Sequence, residues 1–145
     1  MTRDEIRAKG ARPQKTAAQI PTESAEQQWI FRWATYAKAK HPCLALLYHI
    51  PNGGARHPAT AARLKAEGVK AGVPDICLPV PRNGYAGLYI ELKRRKGGHL
   101  EDEQAEWLAA LSAQGYAVAV CKGADAAIEV IEKYIAGKHQ EGCMP

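Results

Sequence analysis

Gly72-Val73-Pro74-Asp75 and, with 15 residues between that aspartate and its glutamate, Glu91-Leu92-Lys93 are the two stretches around which this chain arranges itself. Asp75 to Val80 reads as a strand and Gly87 to Lys93 as the next, with the turn Pro81-Arg82-Asn83-Gly84 between them. The two strands can pair as a hairpin. Side chains alternate along a strand, so Glu91 and Lys93 share one face while Ile90 and Leu92 point the other way, into the core. Asp75 opens the neighbouring strand, and hairpin pairing brings it close to Glu91 and Lys93.

The flanking sequence supplies the rest of a mixed layer structure. Thr22 is a helix N-cap behind Pro21, and Trp29, Ile30, Trp33, Ala34 and Ala37 recur at helical spacing until His41-Pro42. Leu44 to Ile50 reads as a short strand closed by Pro51-Asn52-Gly53-Gly54. Pro58 to Glu67 is a short basic helix with Gly68 at C′. Beyond the hairpin, Leu100 to Gln114 is a helix with Trp107, Leu108 and Leu111 on one face, ended by Gly115. Tyr116 to Cys121 is a fourth strand. Gly123 to Ile135 is an amphipathic helix with Ile128, Ile131 and Ile135 along its stripe. The order α-β-α-β-β-α-β-α implies a mixed α/β domain, a small central sheet covered by helices. Residues 1–20 read as a loose basic leader, 21–136 as the domain, and 137–145 as a frayed tail.

At 145 residues, 46% hydrophobic and 24% charged, the chain has material for one domain with a real core. That balance excludes global disorder and a collagen-like fibre. No apolar run approaches a membrane span, and the polar first 15 residues contain no readable secretory signal. The net charge of +5 suits a polyanionic partner. The cysteines are Cys43, Cys77, Cys121 and Cys143, with no C-x-x-C pair, so a zinc site is not expected. Buried free thiols and a reducing, cytoplasmic setting are. The five histidines show no ligand spacing; His49, beside the Pro-Asn-Gly-Gly turn, is the one near the proposed chemistry. Trp29, Trp33 and Trp107 read as core rather than as a base-stacking platform. No G-x-S-x-G, Walker or dinucleotide pattern is present, so no organic cofactor is expected.

Two carboxylates that converge repel each other unless a cation lies between them. Oxygen ligands of this kind suit Mg²⁺ or Mn²⁺, and Mg²⁺ is commonly held by one or two carboxylates. A lysine two residues from one ligand can orient or deprotonate an attacking water, or stabilise charge on a phosphate. Glu-x-Lys on a strand is by itself a common solvated face, and Pro-Asp is a common turn. Their joint occurrence at this spacing is the specific signal.

Together with Gln104-x-x-Trp107-Leu108 these stretches resemble the PD-(D/E)XK nuclease superfamily. More narrowly they resemble the VRR-NUC domain in a small stand-alone, phage-type or bacterial version, from about Glu23 to Ile135. Glu23, His49 to Gly54, Leu64-Lys65-x-x-Gly68 and Gly115-Tyr116-x-Val118-x-Val120 strengthen the likeness. The resemblance implies an αβββαβ restriction-endonuclease-like core. It implies that Asp75, Glu91 and the backbone carbonyl of Leu92 bind the metal and that Lys93 activates the water. Glu23 would approach from the first helix, and Gln104 would be the family's glutamine on the helix after Glu-x-Lys.

The residues themselves add to this. Gln104 shares its helical face with Trp107, Leu108 and Leu111, so its amide needs partners. Glu23 and Glu26 lie on the same broad helical face, and helical geometry does not separate them. Asn52, Gly53, Gly54 and Arg56 form a turn whose amides suit a phosphate. Arg63, Lys65, Lys70, Arg94, Arg95 and Lys96 are candidate phosphate contacts. By resemblance the activity is Mg²⁺- or Mn²⁺-dependent hydrolysis of DNA phosphodiesters. The expected substrate is a branched, four-way junction cut by a homodimer. Flap or general nuclease action and a non-catalytic DNA-binding module are the alternatives.

Overall fold

In the computed structural model, which describes residues 19–51 and 57–137, Thr22 Oγ1 accepts the Ala25 N–H at 3.1 Å and starts helix α1, Glu23–Ala37. That hydroxyl satisfies one of the amides a helix start leaves open. Trp29, Ile30, Trp33, Ala34 and Ala37 form the buried stripe of α1, as their spacing implies.

The next segment departs from the expected strand over Leu44 to Ile50. Pro42–Leu46 is a 3₁₀ turn, and pairing is confined to β1, Tyr48–His49. Pro42 fixes a helical φ at the first position, and the Leu44 and Leu47 N–H groups bond three residues back. Leu44 and Leu47, three apart, then both reach the core. An apolar run alone does not tell this turn from a strand.

Helix α2, Pro58–Ala66, ends at Gly68, whose φ is +103°. The Gly68 N–H bonds the Lys65 carbonyl and the Val69 N–H bonds that of Leu64, closing the helix by the paired bonds expected of a C′ glycine. Strand β2, Ile76–Leu78, is shorter than expected. Pro79 and Pro81 follow it and cannot donate to a ladder. Asn83 and Gly84 carry φ of +51° and +83° between Arg82 and Tyr85, which exchange both backbone hydrogen bonds. This is a type I′ hairpin turn, whose twist matches that of the strands it joins. The chain returns as β3, Leu88–Lys93, crosses through helix α3, Asp102–Ala113, and enters β4, Ala117–Lys122, and helix α4, Ala124–Ile135.

The sheet order is β1-β2-β3-β4, antiparallel except for the parallel β3–β4 pair. One face carries Leu88, Ile90, Leu92, Ala117, Ala119 and Cys121. It packs against Ile30 and Trp33 of α1 and Ile128, Ile131 and Tyr134 of α4. Burying such side chains contributes about 1.5–3 kcal/mol each. The Tyr134 hydroxyl donates to the Val80 carbonyl and pins α4 to the end of β2. The other face carries Tyr89, Glu91, Lys93, Val118, Val120 and Lys122. Helix α3 lies on it through buried Leu108, with Trp107 and Leu111 only half-buried. Cys43, Cys77 and Cys121 take part in no disulfide among the described residues. Among the described residues no helix is long and apolar enough to cross a membrane.

Candidate active site

Residues 72–75 and the start of α3 meet face to face. Gly72 has φ +86°, and a Cβ there would lie 2.8 Å from the Glu103 backbone carbonyl carbon. Only glycine allows both the backbone angle and this approach. The contact seats the first turn of α3 beside Asp75. Asp75 is held at two points. Its carbonyl accepts the Ile50 N–H at 2.7 Å and lies 2.8 Å from His49 Nδ1. Its Oδ2 accepts the Leu92 N–H at 2.8 Å. His49 is thus a tether for the Asp75 main chain, with its ring proton on Nδ1 for that bond.

On β3, Glu91 and Lys93 stand on one face, as alternation requires, and are 2% and 7% exposed. Lys93 Nζ lies 3.4 Å from Glu91 Oε1. Gln104 Nε2 donates to that same oxygen at 2.8 Å, and Gln104 Oε1 accepts from Lys93 Nζ at 2.8 Å. The Gln104 carbonyl oxygen also accepts the Glu101 N–H at 2.9 Å, as half of the capping box that starts α3. One amide therefore begins a helix and joins the carboxylate to the ammonium.

Glu91 Oε2 is buried without a hydrogen-bond partner. Burial, reinforced by the negative charge of Asp75, pushes the Glu91 carboxyl from 4.5 up to about 8 against the opposing pull of Lys93. A buried carboxylate oxygen without a donor, facing a second carboxylate, fits a divalent cation. In an extended strand the N–H and C=O of one residue point to the same side. The Leu92 carbonyl therefore points to the side on which Asp75 accepts the Leu92 N–H. Asp75, Glu91 and the Leu92 carbonyl are the groups that could hold the ion. Among the described residues no larger cluster of His, Cys, Asp and Glu exists. The donors are all oxygen, as Mg²⁺ or Mn²⁺ prefers.

The first-helix acids separate clearly. Glu23 is exposed, and among the described residues no hydrogen bond or ion pair ties it to Asp75, Glu91 or Lys93. It lies in the first turn of α1, three residues ahead of Glu26, the first buried residue of the helix. Glu26 is the buried one. Its carboxylate takes Arg95 Nε at 2.7 Å and the Ala124 N–H at 2.8 Å, so it caps α4 and anchors the exit of β3. The same arrangement engages Arg95, one of the expected phosphate contacts. Its guanidinium is held by Glu26 and, at 3.5 Å, by Asp125, and its stem lies over Gly123, where a Cβ would sit 2.9 Å away.

Arg94 and Lys96 are exposed beside the site, Arg94 touching the Ile20 carbonyl at 3.4 Å. Arg63, Lys65 and Lys70 are exposed on and after α2, with Arg63 3.5 Å from Glu67. Asn52, Gly53, Gly54 and Arg56 lie outside the described residues. Sequence reasoning missed Lys122, which extends β4 one residue past Cys121. The alternation Val118, Val120, Lys122 was the available signal.

The profile of the VRR-NUC domain matches residues 10–125 of this chain. No curated protein sequence matches it. A solved structure described as a VRR_NUC domain protein superposes with a TM-score of 0.71 at 32% identity, covering 88% of this chain and 98% of that one.

Proposed function

This chain belongs to the VRR-NUC domain family, a nuclease-type domain, and from that premise we propose that it is a metal-dependent DNA endonuclease that cuts four-way junctions as a homodimer. The observation that carries the reading is the convergence of Asp75, Glu91 and Lys93, with Glu91 Oε2 buried and lacking a donor. Asp75, Glu91 and the Leu92 carbonyl would hold Mg²⁺ or Mn²⁺. When bound, the cation would supply positive charge to the phosphate and acidify the attacking water.

The chain's own residues do the rest. The Leu92 N–H and the His49–Ile50 tether aim Asp75. Gln104 holds Lys93 with its ammonium toward Glu91, and Lys93 orients the water and stabilises charge developing on the phosphate. Arg94, Lys96, Arg63, Lys65 and Lys70 contribute phosphate contacts, and Asn52, Gly53, Gly54 and Arg56 are assigned the same role. A symmetric dimer suits a substrate that needs two opposed cuts. The free thiols support a reducing, cytoplasmic setting.

The test is a labelled four-way junction beside a linear duplex of the same sequence, with Mg²⁺, Mn²⁺ or EDTA. Paired symmetric cuts in the junction alone are expected. Cutting of both substrates would leave a nuclease of broader specificity. Metal-independent binding without cutting would overturn the enzymatic reading.

A further inference from the structure

Lys122 stands in register with Lys93 across the parallel β3–β4 pair. Neighbouring strands lie about 4.8 Å apart, so the two side chains leave the same face side by side. It is the face of Glu91, opposite the core face of Leu92 and Cys121. Like charges directly across a sheet are unfavourable. Lys93 is buried and answered by Glu91 and Gln104. Lys122 is exposed at the strand end, and its side chain makes no hydrogen bond or ion pair with any of the described residues. The residues before it on that face are Val118 and Val120, which offer no counter-charge. The arrangement leaves an open ammonium next to a catalytic-type lysine, at the C-terminal end of two parallel strands.

We propose that Lys122 forms a phosphate-binding subsite, taking the non-bridging oxygens of a DNA phosphodiester next to the one cleaved. The inference rests on the nuclease reading and deepens it. A bound phosphate would relieve the Lys93–Lys122 repulsion, so substrate binding would supply the missing counter-charge. Lys122 is thus assigned to substrate binding and not to the chemical step.

The test compares wild type, Lys122→Gln, Lys122→Arg and the control Lys40→Gln, an exposed lysine beyond the end of α1 on the opposite layer. Affinity for a labelled four-way junction is measured in Ca²⁺ from low to high salt. For Lys122→Gln the slope of log affinity against log salt is expected to fall by about 0.9, the share of one phosphate contact on B-form DNA. Affinity at low salt should drop several-fold, cleavage in Mg²⁺ should weaken through KM more than kcat, and Lys122→Arg should restore the slope. The thermal midpoint of Lys122→Gln should equal or exceed that of wild type, which separates lost contact from lost fold.

A slope and affinity matching wild type and Lys40→Gln would overturn the proposal and leave Lys122 as a charge protecting the exposed edge of β4. If wild type binds the junction but does not cut it, the nuclease reading falls while the slope still judges Lys122. If wild type does not bind DNA at all, both fall.

Discussion

The Gln104 amide spans Glu91 and Lys93, donating to the first and accepting from the second at 2.8 Å each. Because the same carbonyl oxygen closes the capping box of α3, helix initiation and the alignment of the two charged groups depend on one side chain. Gln104→Ala should therefore lose about 1 kcal/mol of stability from the cap and roughly 100-fold in cleavage from misplacement of Lys93. Gln104→Glu keeps a cap acceptor but sets a further carboxylate against Glu91; it should fold and cleave poorly. Chemical denaturation and single-turnover cleavage check both.

Glu91 sets a pH dependence. Its carboxyl sits at about 8 when metal-free, against an ordinary 4.5, chiefly through burial and then through Asp75. Between those values the folded protein keeps a proton that the unfolded chain has lost. The stability from this group is full below pH 4.5 and is lost as pH rises through 8. In EDTA, Glu91→Gln should become progressively more stable relative to wild type between pH 5 and 8, as read by thermal unfolding. Metal binding displaces the proton, so Mg²⁺ affinity of wild type should rise by about one log unit per pH unit below 8. Calorimetry in buffers of different ionisation heat reads the released proton.

Glu26 is a structural acid. Glu26→Ala leaves the Arg95 guanidinium and the Ala124 N–H without their carboxylate. Arg95 is itself 35% exposed at its side chain, so the loss is moderated by solvent and should be about 2–3 kcal/mol. Glu23→Ala, on the exposed first turn, should change stability by less than about 0.5 kcal/mol. Cleavage by Glu23→Ala should match wild type, in contrast to the role the family resemblance implies. Urea denaturation and cleavage of both variants check this.

Gly72→Ala combines a φ of +86° with a Cβ 2.8 Å from the Glu103 backbone. It should destabilise by roughly 2 kcal/mol and, by pushing the first turn of α3 away, lower cleavage as Gln104→Ala does. Gly84→Ala, also at positive φ but with open space around it, should be strained without affecting cleavage. Comparing the pair separates backbone strain from displacement of the site.

Much of this arrangement was legible because short-range rules govern it. Strand alternation assigns Glu91 and Lys93 to one face. The Asn83-Gly84 turn fixes the hairpin, and the apolar face of α3 points Gln104 inward. What was not legible depends on tertiary packing. Pro42 turns the run after it into a 3₁₀ segment because Leu44 and Leu47 can both reach the core that way. Glu26 and Arg95 are 69 residues apart, and no local pattern reports that the acid caps a distant helix. Glu23 and Glu26 differ by less than one helical turn, and only the packing of α4 decides which is buried. Lys122 was overlooked because strand ends are poorly marked by composition.

The most direct test of the central claim is single-turnover cleavage of a labelled four-way junction by wild type, Asp75→Asn, Glu91→Gln and Lys93→Met, in Mg²⁺ and in EDTA, with binding in Ca²⁺ measured in parallel. The account predicts cutting by wild type in Mg²⁺ alone. It predicts a loss of roughly 100-fold or more in each variant, with binding retained. Cutting that persists in EDTA, or at wild-type rates in all three variants, would contradict it.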